Sequence, residues 1–381
     1  SPTVASTASG SGAAPGGSGG QGGSGAEGAA ETGGAGGNGL SAGGGGGAGG
    51  AGGSQDGPVA SNFALHVDRD VDPAPTPINQ LYLAEIGATA AGDHIVSLQK
   101  YFRNEPITSA LLDAARRGVQ VETVYMQDVD PSCQALRLPG DTFDCSTMFR
   151  WGVLCHHKNL MALSTSGVLR AIVGSYNLRV RSTASPRVHT ALSFDVANGQ
   201  PVFAWYQGAR QRLLTGSSSQ PPSLTIATAS GGELTLSLPS TLLNPVRDML
   251  AGLPGCDGTL WVSYFGVAPD TTGVPVFNEL ERLVAAGCDV RVLLDEDESA
   301  GAKAALDSRG IPARFPTYPA GNATLGHKLV YAEYAGETYL LQSSANLTAL
   351  DVLAGNLTAT LRAPELPTIR GVIDSELSRY W

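Results

Sequence analysis

The chain has 381 residues, with 24 Lys and Arg against 34 Asp and Glu, a formal net charge of −10. That acidic balance weighs against a general nucleic-acid binder, which presents a net basic face. Nowhere do 18 or more apolar residues run together, so the sequence predicts no membrane-spanning helix. Residues 1–57 hold 25 of the 50 glycines, with Glu27, Glu31 and Asp56 as the only charges. Such a stretch has too few apolar side chains to offset the entropy of ordering, so it predicts a disordered Gly/Ser/Ala-rich tether. The remaining 324 residues are enough for one large or two modest domains. The five cysteines, at 133, 145, 155, 256 and 288, lack the CxxC spacing of a zinc or redox site. A long tether on a chain that does not begin with Met predicts export, so that the protein is secreted or tethered at a bacterial-type cell surface. Export permits disulfides. The expected bridges are Cys256 to Cys288 and Cys133 to Cys145, leaving Cys155 free.

In chain order, residues 95–98 read as an apolar strand, 107–115 as an amphipathic helix and 119–125 as an alternating strand. Gly118, after the amphipathic run, is a helix-stop signal. The order predicts a βαβ unit and a parallel sheet. A Ser/Pro/Leu-rich stretch follows at 216–243, with a small hairpin expected over 225–238. The pattern then recurs: strand 259–265, helix 276–286 ending at Gly287, strand 290–294. Gly118 and Gly287 differ by 169 positions, Lys158 and Lys328 by 170, and Asn177 and Asn346 by 169. Three landmarks holding one spacing mark a tandem duplication, with halves expected at 58–218 and 219–381.

The first half runs Cys155-His156-His157-Lys158, then a strand at 168–173, then Gly174-Ser175-Tyr176-Asn177. Alternate residues of a strand share a face, which sets His156 with Lys158 and turns His157 away. An imidazole, an ammonium and an amide together suit a nucleophile with two groups that stabilise a phosphoryl oxyanion. The second half gives Gly326-His327-Lys328 and Ser343-Ser344-Ala345-Asn346. Lys328 and Asn346 repeat Lys158 and Asn177, Gly326 stands where His156 stands, and His327 matches His157. Arg170, Arg179, Arg181 and Arg187 gather near the first motif as a candidate cationic rim.

These residues resemble the HxK…GSxN signature of the phospholipase D superfamily, over about residues 78–381. The resemblance implies an α/β fold of two tandem α/β/α sandwich halves related by pseudo-two-fold symmetry, with one site at their seam, no metal and no cofactor. It implies a phosphodiesterase acting in two steps through a phosphohistidine. One histidine attacks phosphorus; the other protonates the leaving group and then activates water or an alcohol. Carried over, the catalytic positions are His156, Lys158, Asn177, Lys328 and Asn346, with His327 as the stand-in second histidine and Ser175 and Ser344 as substrate-binding groups. The implied partner is a phospholipid headgroup diester on a monomeric protein. A nuclease or phosphodiesterase on DNA or RNA is the second reading, and a catalytically impaired phosphate binder the third. The chain departs from the pattern in two respects. The acid five residues past the motif lysine is Leu163 in the first half and Glu333 in the second, and the second HxK histidine is missing.

Overall fold

Residues 95, 96 and 98 already show how the chain builds its layers. Ile95 points into one apolar cluster, while Val96 and Leu98 point into another. A strand buried on both faces in this way belongs to a sheet covered by helices on both sides. The structure is a computed structural model, and it describes residues 57–69, 76–100, 105–126, 144–148, 156–178, 187–215, 222–239, 244–316, 324–348, 356–364 and 366–381. Residues 1–56 of the expected tether lie outside these, as do Cys133, Cys155 and the side chain of Cys145, and with them the second expected bridge.

The first part of the chain supplies β1 (Val59–Arg69), α1 (Pro77–Gly87), β2 (His94–Gln99), α2 (Glu105–Arg116), β3 (Gln120–Met126) and β4 (Asp144–Met148). It continues with β5 (Lys158–Leu163), β6 (Leu169–Gly174), β7 (Arg187–Ala197) and α3 (Gln200–Thr215). The expected hairpin is β8 (Leu224–Thr228) with β9 (Glu233–Ser237). The later part supplies α4 (Pro245–Ala251), β10 (Thr259–Tyr264), α5 (Gly273–Ala285), β11 (Asp289–Leu294) and α6 (Glu296–Asp307). The chain closes with β12 (Ala313–Arg314), β13 (Thr324–Leu325), β14 (Lys328–Tyr334), β15 (Glu337–Ser343), β16 (Thr358–Pro364) and α7 (Pro367–Leu377). No helix among the described residues is long and apolar enough to cross a membrane.

The strands hydrogen-bond in the order β12-β11-β10-β14-β15-β16-β9-β8-β1-β7-β6-β5-β2-β3-β4, with β13 pairing β7 off this path. Read inward from either end, the order is the same: two parallel strands beside a third, then an antiparallel run of three. The helix-stop glycines explain one pair of repeat landmarks. Gly118 has φ 91° and Gly287 φ 89°, a left-handed turn that only glycine adopts without strain.

Three apolar clusters hold the layers. One lies under α1 and α2 against β2, β3 and β5. A second lies under α4, α5 and α6 against β10, β11 and β14. The third receives the opposite faces of both sets of strands and buries α3 through Val202, Phe203 and Tyr206, and α7 through Ile369, Ile373 and Leu377. Residues 54–381 form one compact unit through this shared layer. At its edge Cys256 and Cys288 are bridged, with Cα atoms 5.3 Å apart, as expected from their places at the starts of neighbouring parallel strands.

Candidate active site

Each motif lysine opens a strand where its neighbour ends: Lys158 is opposite Gln99 at the end of β2, and Lys328 is opposite Tyr264 at the end of β10. These are the carboxyl ends of the parallel strands, the usual place for a ligand in an open α/β sheet. Contacts across the chain bring the two regions together. The Lys158 Nζ donates to the His156 carbonyl at 2.9 Å and to the Ser344 carbonyl at 3.3 Å. His156 Nδ1 is 3.0 Å from Asn356 Oδ1. β13 runs parallel to β7, with Leu325 beside Val188, and the Gly326 N–H donates to the Val188 carbonyl at 2.7 Å.

His156 is 5% exposed. Its pKa lies well below 6.5, first because burial disfavours the charged ring and then because Lys158, Lys100 and Lys328 are near. Asn356 pulls the other way. Against an amide oxygen, the ring donates from Nδ1, which places its lone pair on Nε2. Lys158 Nζ lies 3.5 Å from that Nε2. Lys328 is 3% exposed, with Nζ 4.9 Å above the Phe265 ring. Arg187 also stacks on Phe265, at 4.6 Å. Of the other rim arginines, Arg170 is turned to Glu85 at 3.4 Å; Arg179 and Arg181 lie outside the described residues.

The serines and asparagines of the motifs occupy matching places. The Ser175 Oγ accepts the Thr190 N–H and the Ser344 Oγ accepts the Leu357 N–H, each at 3.0 Å. Ser344 also donates to Asn356 Oδ1 at 3.0 Å, and Ser175 Oγ lies 3.5 Å from His189 Nδ1. Both hydroxyls are therefore engaged with the strands that follow. Asn177 and Asn346 are half-buried, and their amide oxygens accept no hydrogen bond from described residues. Asn346 packs on Gly266, where an added Cβ would come within 3.0 Å of its Cγ.

His157 and His327 stand apart from the lysines, on the opposite strand face. His157 Nδ1 meets Asn159 at 3.0 Å, and His327 Nδ1 meets Ser263 at 3.0 Å. His327 is 0% exposed and its Nε2 has no partner among the described residues. Burial holds its pKa down at about 4. The structure thus gives His327 no bulge that would turn it to the lysines. Leu163 is in the core, and Glu333 lies along β14 from Lys328, bonded to Tyr331 at 2.7 Å and paired with Arg370 at 3.4 Å. Five residues of strand, ~17 Å, separate that carboxylate from the lysine's position.

Sequence reasoning missed Asn356 and His189. They are each other's counterparts: each precedes the residue whose N–H binds a motif serine, and they are 167 positions apart. That near-repeat offset is the signal that was available.

The chain has the fold of the phospholipase D superfamily. No protein-family profile and no curated protein matches the sequence. Among solved structures, a phosphatidylserine synthase from Haemophilus influenzae aligns over 84% of this chain and 87% of its own, with 10% identity and a TM-score of 0.56. A polyphosphate kinase from Porphyromonas gingivalis aligns over 82% of this chain with 14% identity and a TM-score of 0.51, and this chain covers 49% of the kinase's length. A yeast tyrosyl-DNA phosphodiesterase aligns over 71% of this chain at a TM-score of 0.41, a likeness too loose to carry weight.

Proposed function

We propose that the protein is an exported, metal-independent phosphodiesterase that transfers a phosphoryl group through a phosphohistidine, with phospholipid headgroup diesters as substrate. The observation that carries this reading is the setting of His156. Its ring is neutral, its Nδ1 faces an amide oxygen, and its Nε2 stands beside Lys158.

In the first step the Nε2 lone pair attacks phosphorus and the bond to the leaving oxygen breaks. Lys158 and Lys328 are cationic partners for the charge on the non-bridging oxygens, and fixed cations in a water-poor site act strongly on such charge. In the second step water or an alcohol attacks the phosphohistidine and returns the electron pair to Nε2. The lipid substrate is favoured by the acidic balance of the chain and by the fold shared with a phosphatidylserine synthase. Export agrees with the Cys256–Cys288 bridge, since such bonds persist in oxidising compartments.

The test is a substrate panel in EDTA: a fluorescent phosphatidylcholine, single-stranded DNA and bis(p-nitrophenyl) phosphate. Headgroup release from the lipid that is lost in His156→Ala supports the proposal. Cleavage of DNA alone moves the assignment to a nuclease. No turnover of any diester leaves a phosphate-binding protein, the reading that the glycine at 326 would otherwise favour.

A further inference from the structure

We propose that His189, outside both motifs, is the second catalytic histidine of this site, taking the place of the ring that Gly326 lacks. The inference rests on His156 being the nucleophile. Gly326 stands two residues before Lys328 as His156 stands two before Lys158. Because Leu325 pairs with Val188 on parallel strands, the next residues, Gly326 and His189, are also neighbours. A Cβ built on Gly326 would lie 2.5 Å from His189 Nδ1 and 2.6 Å from its Cε1. The His189 imidazole thus fills the volume into which a side chain at 326 would project. Glycine is required there, because any other side chain would displace the ring and also meet the Val188 carbonyl at 2.7 Å.

The repeat shows what has been exchanged. Each motif position meets a residue from the other half: His156 of the first half meets Asn356 of the second, and Gly326 of the second meets His189 of the first. In the first pair the motif position carries the histidine and its neighbour an amide; in the second the motif position is glycine and its neighbour carries the imidazole. His189 is 6% exposed, whereas His327 is 0%. Its Nδ1 faces Ser175 at 3.5 Å and Tyr176 sits edge-on at 5.2 Å, which fixes the ring. No described residue hydrogen-bonds its Nε2. Both motif lysines act on it: burial, Lys328, Arg187, His327 and Lys158 all lower its pKa. A bound phosphodiester anion opposes those cations and favours the imidazolium. In that complex His189 gives its proton to the leaving oxygen as the P–O bond breaks. The neutral ring then takes a proton from water as the water oxygen attacks phosphorus, and the P–N bond to His156 opens. The sum is diester plus water to monoester plus alcohol, with both histidines restored.

The experiment compares bis(p-nitrophenyl) phosphate, whose leaving group needs no proton, with diphenyl phosphate, whose leaving group does. In His189→Gln, turnover of diphenyl phosphate should fall on the order of 100-fold or more. The first release of p-nitrophenol should fall far less, leaving a burst and an accumulated phosphoenzyme. His189→Ala should regain turnover with added imidazole, a readout that a merely structural role would not move. Equal slowing of both substrates with no accumulated phosphoenzyme, or no imidazole rescue in a variant with wild-type melting behaviour, overturns the role of His189. Turnover with no phosphoenzyme in either the wild-type protein or His189→Gln overturns the nucleophile itself, and the inference with it.

Discussion

Replacing His327 with Gln should change how stability depends on pH and leave leaving-group selectivity unchanged. In the folded protein, burial holds this imidazole at a pKa of about 4, against 6.5 for the free ring. The folded state therefore keeps the ring neutral at pH values where the unfolded chain binds a proton. Its contribution is fully present above about pH 6.5, is lost as pH falls through the unfolded value, and levels off below about pH 4. Between about pH 7.5 and about pH 5 the loss from this one ring is about 2 kcal/mol. Glutamine titrates nowhere in that range and retains a polar group for Ser263 Oγ, now 3.0 Å from the ring. Urea unfolding of wild type and His327→Gln at four pH values gives the comparison. The wild-type curve should fall more steeply by about 2 kcal/mol over the interval, whatever the constant offset from repacking. Parallel curves would refute the assignment of His327 as a neutral core residue, and a selective loss on diphenyl phosphate would make it a proton donor.

Lys158→Met and Lys328→Met should each lower kcat on the order of 100-fold, because each removes a cation aimed at the transferring phosphoryl group; near-wild-type kcat in either would place that lysine outside the site. Asn356→Ala should lower kcat ~10–100-fold with little change in KM, since the ring of His156 loses its tautomer-fixing partner; Asn356→Asp should recover most of it, and an unaffected Ala variant would show that the bond at 3.0 Å does not position the ring. Cys256→Ser should lower stability by about 3–4 kcal/mol, the chain-entropy value for a bridge of separation 32; an unchanged urea midpoint would count against the bridge. Turnover should persist in EDTA, and a loss restored by a divalent ion would contradict the chemistry proposed.

The elements that sequence reading recovered are those with a strong local signal. The helix over 107–115 occupies Glu105–Arg116 and the hairpin over 225–238 is β8 with β9, because a run of apolar residues at one period and its glycine stop suffice to specify each. β1 escaped notice because it is irregular: its pairing with β7 shifts register between Ser61 and Ala64, and Asn62 has φ 54°. α3 is buried along one stripe that includes Phe203, Tyr206 and Leu213, but its polar residues interrupt the pattern. At the site, strand alternation was enough to part His156 from His157. It could not reveal His189, whose place depends on a two-residue strand more than a hundred positions away pairing with β7. Nor could it reveal Asn356, which reaches His156 from 200 residues further along.

The most direct test is to trap the covalent intermediate. Wild-type protein and the His156→Ala and His189→Gln variants are mixed with bis(p-nitrophenyl) phosphate in EDTA, quenched in base and mapped by mass spectrometry. The expected result is an acid-labile, base-stable phosphoryl adduct on His156, absent in His156→Ala and more abundant in His189→Gln. An adduct on any other residue, or turnover with no adduct in any of the three, would contradict it.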